Sequence, residues 1–482
     1  MTRQTDEHRV AGSNSRRTFL KATAGVSAAT FGTLSGLAGS TVAQEGPTIR
    51  WASDPLAKEN EDAIRQGLYD AGLSQDINFE IVAGAFETGS RQQQYQQWLN
   101  ASRSQPDLLM MDNGWTIPFI VRDQLLNLSQ ALPEELLSTV SDQYFEALVS
   151  TARGPDGDLF GLPLFPDFAT VLYRRDWVED AGYDPEGENW AEDSMEWQRF
   201  SEVIADTRDQ QGVDYGYTWQ GDVYEGLSCC DFNEFMSSWG GAYFGPLENL
   251  FGPIGDRPIT VTEQPVVDAV RMGKTFIDPD AEGTLDGYQQ ISPRAVLQWT
   301  EQTSLAPFQN DSAVANRNWS FAINQTGSED EFGEDLGVMP IPYGVTPDEA
   351  NYKGTGGSPS ALGGWHVSVN PNTDNQDAAL QVLEAMASES FRLVLFENVG
   401  WLPPQPELFT NSDFQDIEPV GRYLPQLRIA GENAISRPVT AVWPQESTQI
   451  AQEVNAGMSG DKSPQQAMAD LESALQSIEE SA

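Results

Sequence analysis

An apolar run, Leu108 to Met111, stops abruptly at Asp112, and Trp115 follows three residues later. A carboxylate accepts hydrogen bonds from hydroxyls, and a large flat ring covers an apolar C–H face, so the pair suits a polyhydroxy ligand. The competing assignment is a turn aspartate followed by a core tryptophan. Bounded by Pro106 before and Asn113-Gly114 after, the run reads as a buried strand of a parallel sheet. In open α/β sheets ligands gather at the carboxyl ends of such strands, which is where Asp112 stands.

The elements that position this stretch follow from periodicity. Thr48 to Ala52 reads as a strand, and Asp54-Pro55 as a cap with proline at the first helical position. Leu56, Ala63, Ile64, Leu68 and Ala71 then share one helical face that Gly72 closes. Ile77, Phe79 and Ile81 alternate as a second strand. Arg91 to Ala101 is a second helix, before the strand that ends on Asp112. This order is the start of a doubly wound α/β lobe. Further on, Trp197 to Gln211, Asp231 to Trp239, Pro265 to Ile277 and Asp377 to Ser388 read as helices. Ser463-Pro464 caps a last one. At 482 residues the chain exceeds what one core supports, so at least two lobes are expected.

Proline marks three breaks. In Leu162-Pro163-Leu164-Phe165-Pro166 both prolines remove donors, so no regular structure is expected there. Val338 to Tyr343 and Gly400 to Pro406 read as stiff linkers of the same kind. Three such crossings between discontinuous lobes are what a hinge needs, because a few linker residues can absorb the rotation that closes the lobes.

Charge excludes some functions. The formal net charge is −45, from 72 acidic against 27 basic residues, spread along the chain. Phosphate binding needs the opposite sign, so nucleic acid and anionic membranes are poor partners. Acidity of this extent also resembles adaptation to molar salt, where the Debye length falls to about 3 Å. A halophilic source is expected.

Residues 1–43 read as an address. Ser15-Arg16-Arg17-Thr18-Phe19-Leu20-Lys21 matches the twin-arginine export pattern, and a weakly apolar Ala-, Gly- and Ser-rich segment follows. Gly25, Gly32, Gly36 and Gly39 interrupt it too often for a permanent membrane span. Cleavage is expected after Ala43, and Ser40 stands where a lipid-anchored protein would need cysteine. The protein is expected outside the cell, at its surface. Its two cysteines, Cys229 and Cys230, are neighbours. Adjacent Cα atoms lie about 3.8 Å apart, outside the usual disulfide range, so an intrachain staple is not expected, a vicinal bridge being the rare exception. With only His8 and His366 besides, the usual zinc sites are excluded and no metal or cofactor is expected.

A resemblance joins these parts. Tyr95-Gln96-Gln97-Trp98-Leu99-Asn100 leading into Pro106–Asp112, Gly161-Leu162-Pro163, Val171-Leu172-Tyr173-Arg174, Gln220-Gly221 and Tyr224-Glu225-Gly226-Leu227 come in order. Arg317-Asn318-Trp319, Leu362-Gly363-Gly364-Trp365, Ser436-Arg437-Pro438-Val439-Thr440 and Trp443-Pro444-Gln445 follow. Together they resemble an extracellular solute-binding protein of a carbohydrate ABC importer, within it the trehalose/maltose-binding branch. The resemblance covers nearly the whole exported chain.

It implies an α/β, periplasmic-binding-protein-like fold of type II, with two doubly wound lobes, a multi-crossing hinge and a ligand cleft between them. The first lobe would be 44–163 plus 343–400 and the second 168–339 plus 404–482, with hinges near 163–167, 339–343 and 400–404. It also implies a monomer that hands a di- or oligosaccharide to membrane permease subunits.

Site residues carry over where they match. Asp112 corresponds to the first-lobe acid that takes sugar hydroxyls, Arg91 to the arginine beginning the preceding helix, and Glu59 loosely to an acidic contact in the first helix. Asp167 matches the acid after the first crossing, and Phe165 stands where tyrosine is common, without its hydroxyl. Trp319 matches the stacking tryptophan, Gly364 and Trp365 a pair offering backbone and indole donors, and Arg437 a late arginine facing the cleft. Each has a plainer assignment: core aromatics for the tryptophans, a cap of the following segment for Asp167, a solvated helix face for Glu59, a surface pair for Arg437. Arg91 near a helix start opposes the helix dipole, a misfit that favours a role at the site.

The other function classes are a secreted glycoside hydrolase, which would use the same cleft carboxylates with one pKa raised, and an acidic surface-layer or adhesion protein. Asp278 to Gly283 begins like a calcium loop, but Gln289 replaces the bidentate glutamate. Gly354-Thr-Gly-Gly-Ser-Pro lacks the lysine of a phosphate loop. Asn100, Asn127, Asn310, Asn318 and Asn324 begin glycosylation triplets, and a glycan on Asn318 would obstruct Trp319.

Overall fold

The computed structural model describes residues 46–482, so the twin-arginine segment lies outside the described residues. Two sheets organise the chain. Strand β1 (Thr48–Ser53) runs parallel to β2 (Asn78–Ala83) on one side and β3 (Leu108–Asp112) on the other. Strand β9 (Ser360–Val369) lies antiparallel to β3. Along its other side β9 carries β4 (Leu162–Phe168), antiparallel, and the short parallel β10 (Ala434–Ile435). This makes six strands.

The apolar run of β3 is explained by burial on both faces. Leu108 and Met110 enter the core that holds Ile49, Trp51 and Phe79, whereas Leu109 and Met111 enter a smaller one with Tyr95, Leu99 and Trp115. Successive side chains alternate across a sheet, and here neither face is wet. The sheet is parallel on only one side of β3, because β9 returns from far along the chain and needs no crossover helix to pair antiparallel.

The second sheet takes the order β6-β7-β5-β8 from β5 (Thr170–Arg174), β6 (Tyr215–Thr218), β7 (Ala313–Asn318) and β8 (Leu336–Met339). Ala169 alone separates β4 in one sheet from β5 in the other. The largest core surrounds this second sheet.

Several helices fall where periodicity put them. Trp197–Gln211 is a helix that Gly212 ends at φ +67°. Asp54 accepts a hydrogen bond from the Ala57 N–H at 2.9 Å, as its capping role requires, but the helix breaks at Asn60 into Pro55–Glu59 and Glu61–Asp70. Ser463 caps Pro464–Ser481 through the Gln466 N–H.

Other expectations need correction. The stretch Leu162–Pro166 is not irregular but belongs to β4. It pairs with β9 alone, and the register shifts between Pro163 and Phe165. A strand with one partner tolerates proline, because the missing donor faces no second neighbour and a bulge absorbs the misfit. The expected linker from Val338 begins inside β8, whose last residue is Met339. Cys229 and Cys230 are joined as a vicinal disulfide, the exception to the separation argument. They lie on a single π-helical turn, Leu227–Asp231, so the helix predicted from Asp231 starts at Phe232.

Among the described residues no helix is long and apolar enough to cross a membrane, and no group of three or more His, Cys, Asp or Glu residues is placed to hold a metal.

Candidate functional site

The carboxyl end of β3, the middle of β4 and β9, and the residues that follow β6 and β7 converge on one cavity of about 1040 Å³, counting its open mouth. Arg91, Asp112, Phe165, Asp167, Trp319, Gly364, Trp365 and Arg437 all line it. Glu59 does not: it is exposed on its short helix, and Asp54, the cap of that helix, lines the cavity instead.

Asp112 is held from three sides. Its Oδ1 accepts from the Gly114 N–H at 2.7 Å, and its Oδ2 accepts from the Thr88 hydroxyl at 3.0 Å. The Arg437 guanidinium pairs with Oδ1 at 3.2 Å. Trp115 is fully buried, away from the cavity, and its indole N–H donates to the Thr88 oxygen at 2.9 Å. The ring beside the carboxylate is therefore a positioning group, acting on Asp112 through Thr88. A side chain at position 114 would collide with Arg437, whose Nη1 lies 2.4 Å from where a Cβ would sit, so the close approach needs glycine.

Arg437 is buried and far from being a surface partner. Besides Asp112 it donates to Glu225 Oε1 at 3.0 Å and to Asn113 Oδ1 at 3.0 Å. The Trp443 indole N–H also reaches Glu225. This network ties the β3 edge of the six-stranded sheet to the segment after β6 of the other.

Asp167 makes a second tie between the two sheets. From β4, its Oδ1 accepts from the N–H and the hydroxyl of Ser320, at 3.1 and 2.9 Å, at the start of the helix that follows β7. Asp167 lies inside β4 and its donors belong to Ser320 far along the chain, so it does not cap the segment that follows it, and it lines the cavity. Burial pushes its carboxyl up to about 6, the two Ser320 donors opposing.

Each stacking candidate has an arginine over one face. The Arg91 guanidinium carbon sits 4.1 Å from the Trp365 ring centre, and that of Arg317 sits 4.3 Å from Trp319. Arg91 also lies 4.0 Å from Asp54, and it is fully buried near the start of the helix Thr88–Asn100. Arg317 is fixed in turn by Glu234 and by Asp231. Phe165 stacks on Trp401 at 4.4 Å with an interplanar angle of 12°. Gly364 has φ +136°, and a Cβ there would lie 2.8 Å from the Phe165 carbonyl oxygen.

Sequence reasoning passed over several lining residues. Trp401 lay in what read as a linker, and Glu301, Phe86 and Phe321 carry no motif. Tyr224 and Glu225 sat inside a recognised stretch, and that adjacency was the available signal. Burial raises the carboxyls of Glu225, Glu301 and Asp54, with Arg437 opposing at Glu225 and Arg91 at Asp54. Six acids against two arginines line this cavity. Desolvated carboxylates suit a ligand rich in hydroxyls, which can donate to the lone pairs that remain, and repel phosphate.

Residues 62–391 match the family described as bacterial extracellular solute-binding protein. A probable ABC transporter-binding protein of Deinococcus radiodurans is 26% identical over 396 residues, 82% of this chain and 84% of that protein. Among solved structures, the chain is similar to maltose-bound MalE3 of T. maritima, with a TM-score of 0.74 and 22% identity over 90% of this chain and all of that one. An ABC transporter solute-binding protein of Thermotoga lettingae, bound with α-D-tagatose, gives a TM-score of 0.71 at 17% identity, over 90% of this chain and 100% of that one.

Proposed function

The chain belongs to the bacterial extracellular solute-binding protein family, and from that premise we propose that it is the substrate-binding component of an ABC sugar importer. It has the type II fold of two α/β lobes. Its ligand is a di- or oligosaccharide of the trehalose or maltose kind, taken between the lobes and delivered to membrane permease subunits by a monomer. The observation that carries this reading is the cavity itself, where buried carboxylates, arginines and aromatic rings from both sheets converge. Acids and arginines bind adjacent hydroxyls, and rings cover the apolar faces between them. The proposed lobes, 44–163 plus 343–400 and 168–339 plus 404–482, turn on the crossings near 163–167, 339–343 and 400–404.

Calorimetry of the mature protein in molar salt, against a panel of di- and oligosaccharides, tests the reading. Saturable binding with the sugar recovered intact is expected. Release of reducing sugar with turnover would instead establish the glycoside hydrolase.

Binding should depend on pH through Asp167. With its carboxyl raised to about 6 in the free protein, hydroxyl donors from a bound sugar favour the ionised form. Binding then expels a proton below that value, and affinity falls as the pH drops through it, by up to about tenfold per pH unit for one linked proton. Above it Asp167 adds no further change. Titrations across this range would reject the role if affinity did not change, and Asp167→Asn should remove most of the dependence.

We also propose export by the twin-arginine route and life in high salt. The net charge of −45 makes the folded chain repel itself, and salt shortens the range of that repulsion from about 10 Å at 0.1 M to about 3 Å at 1 M. The thermal midpoint should therefore rise over that interval. A flat or falling midpoint in potassium chloride would remove the halophilic assignment.

A further inference from the structure

The Cys229–Cys230 disulfide lines the same cavity as Asp112, Asp167 and Trp319. A bridge between neighbours closes the shortest possible loop, so it restrains the unfolded chain least and is a poor staple. Its effect has to be local.

The surrounding turn is built to hold it in place. Leu227–Asp231 is π-helical, a form found mostly as single turns inside α-helices and frequently at functional sites. On one side of the cysteines, Ser228 bonds Ser447 through their hydroxyls at 2.6 Å, and its carbonyl accepts from the Tyr243 hydroxyl at 2.6 Å. On the other, Asp231 accepts from the Gln220 N–H at 2.9 Å. Before it, Gly226 has no room for a side chain, because the Tyr224 hydroxyl would lie 2.2 Å from its Cβ. The backbone is clamped at both ends, and the two residues between line the cavity.

A disulfide there offers a surface unlike any other in the lining. It has no N–H or O–H to satisfy, it is polarisable, and its two side chains have lost their independent rotamers. Two thiols would be mobile and would carry weak donors. An exported protein keeps the oxidised pair.

We propose that the Cys229–Cys230 disulfide is a ligand-contacting platform, whose sulfur face packs against the apolar C–H face of a pyranose ring while the carboxylates take the hydroxyls. This rests on the sugar-binding reading above. Rings whose hydroxyls are equatorial, as in glucose units, present axial C–H bonds on each face and are the ligands it favours.

The test compares wild-type protein with the Cys229→Ala/Cys230→Ala double variant by calorimetry, using the best sugar from the panel and glucose-containing disaccharides. Affinity should fall about tenfold or more, with a cooperative unfolding transition retained. A second measurement needs no variant. Saturating sugar should slow reduction of the wild-type disulfide by a water-soluble phosphine, which supplies two electrons, takes oxygen from water to become its oxide, and leaves two thiols. Wild-type protein that binds no sugar defeats the sugar reading and this inference with it. Wild-type protein that binds, beside a double variant of equal affinity or an unslowed reduction, defeats the platform alone. A wild-type mass showing two free thiols in the exported protein overturns it as well.

Discussion

Arg437→Met should destabilise the ligand-free protein by about 3–5 kcal/mol, the cost of leaving buried charge without its partner. The arginine is 4% exposed and is the cation shared by Asp112, at 3.2 Å, and Glu225, at 3.0 Å. Methionine fills much of the same volume and cannot answer either charge. Urea unfolding at neutral pH measures the loss. A variant within about 1 kcal/mol of the parent, the worth of a surface pair, would mean that water already screens these carboxylates.

The deficit should depend on pH in a definite sense. Burial already raises the Glu225 carboxyl, and Arg437 is the main influence holding it down. Without the arginine it rises further, so the folded variant binds a proton at a pH where the unfolded chain does not. Stability of the variant then falls as pH rises through that window, and the gap to the parent narrows on acidification. Glu225→Gln placed on Arg437→Met should recover part of the loss at neutral pH. Sugar affinity should fall with the same substitution, because Asp112 would lose its fixed orientation.

How far such contacts can be read from sequence depends on what makes them. Asp112 was legible because a strand buried on both faces writes itself as a continuous apolar run, and its end is then fixed. The helix Trp197–Gln211 was legible for the same local reason, with Gly212 as its stop. Arg437 could be assigned to a cleft by resemblance, but its partner Glu225 lies 212 residues away, and no local pattern encodes that distance. Glu59 and Asp54 differ by five positions, at opposite ends of one short helix. Only the break at Asn60 and the cap geometry decide that Asp54 faces the cavity. The prolines of β4 misled because proline argues against a strand with two partners, and β4 has one. The disulfide is the rare exception to a rule about separation, a bridge between neighbours whose Cα atoms are 3.8 Å apart.

Trp319→Ala is the substitution that should most separate binding from folding. The indole is 8% exposed and lines the cavity, with Arg317 over one face at 4.3 Å, so its other face is the one a ligand can cover. Arg317 does not depend on the ring: Glu234 Oε1 lies 2.5 Å and Asp231 Oδ2 3.6 Å from its guanidinium. Removing the ring costs the cation–π contact, about 0.5–2 kcal/mol, but the space it leaves opens into a wet cavity and not into a dry void, so the full penalty of a core truncation is not incurred. Binding has no such relief. An aromatic at the centre of a recognition site contributes about 2 kcal/mol or more, which is an affinity loss of about 30-fold or greater. Trp319→Phe should retain most of that, since a ring remains to cover the sugar face. Calorimetry gives the affinities and urea unfolding gives the stabilities. Unchanged affinity in Trp319→Ala would return the residue to the core and leave Trp365, whose ring is also backed by an arginine, as the stacking group.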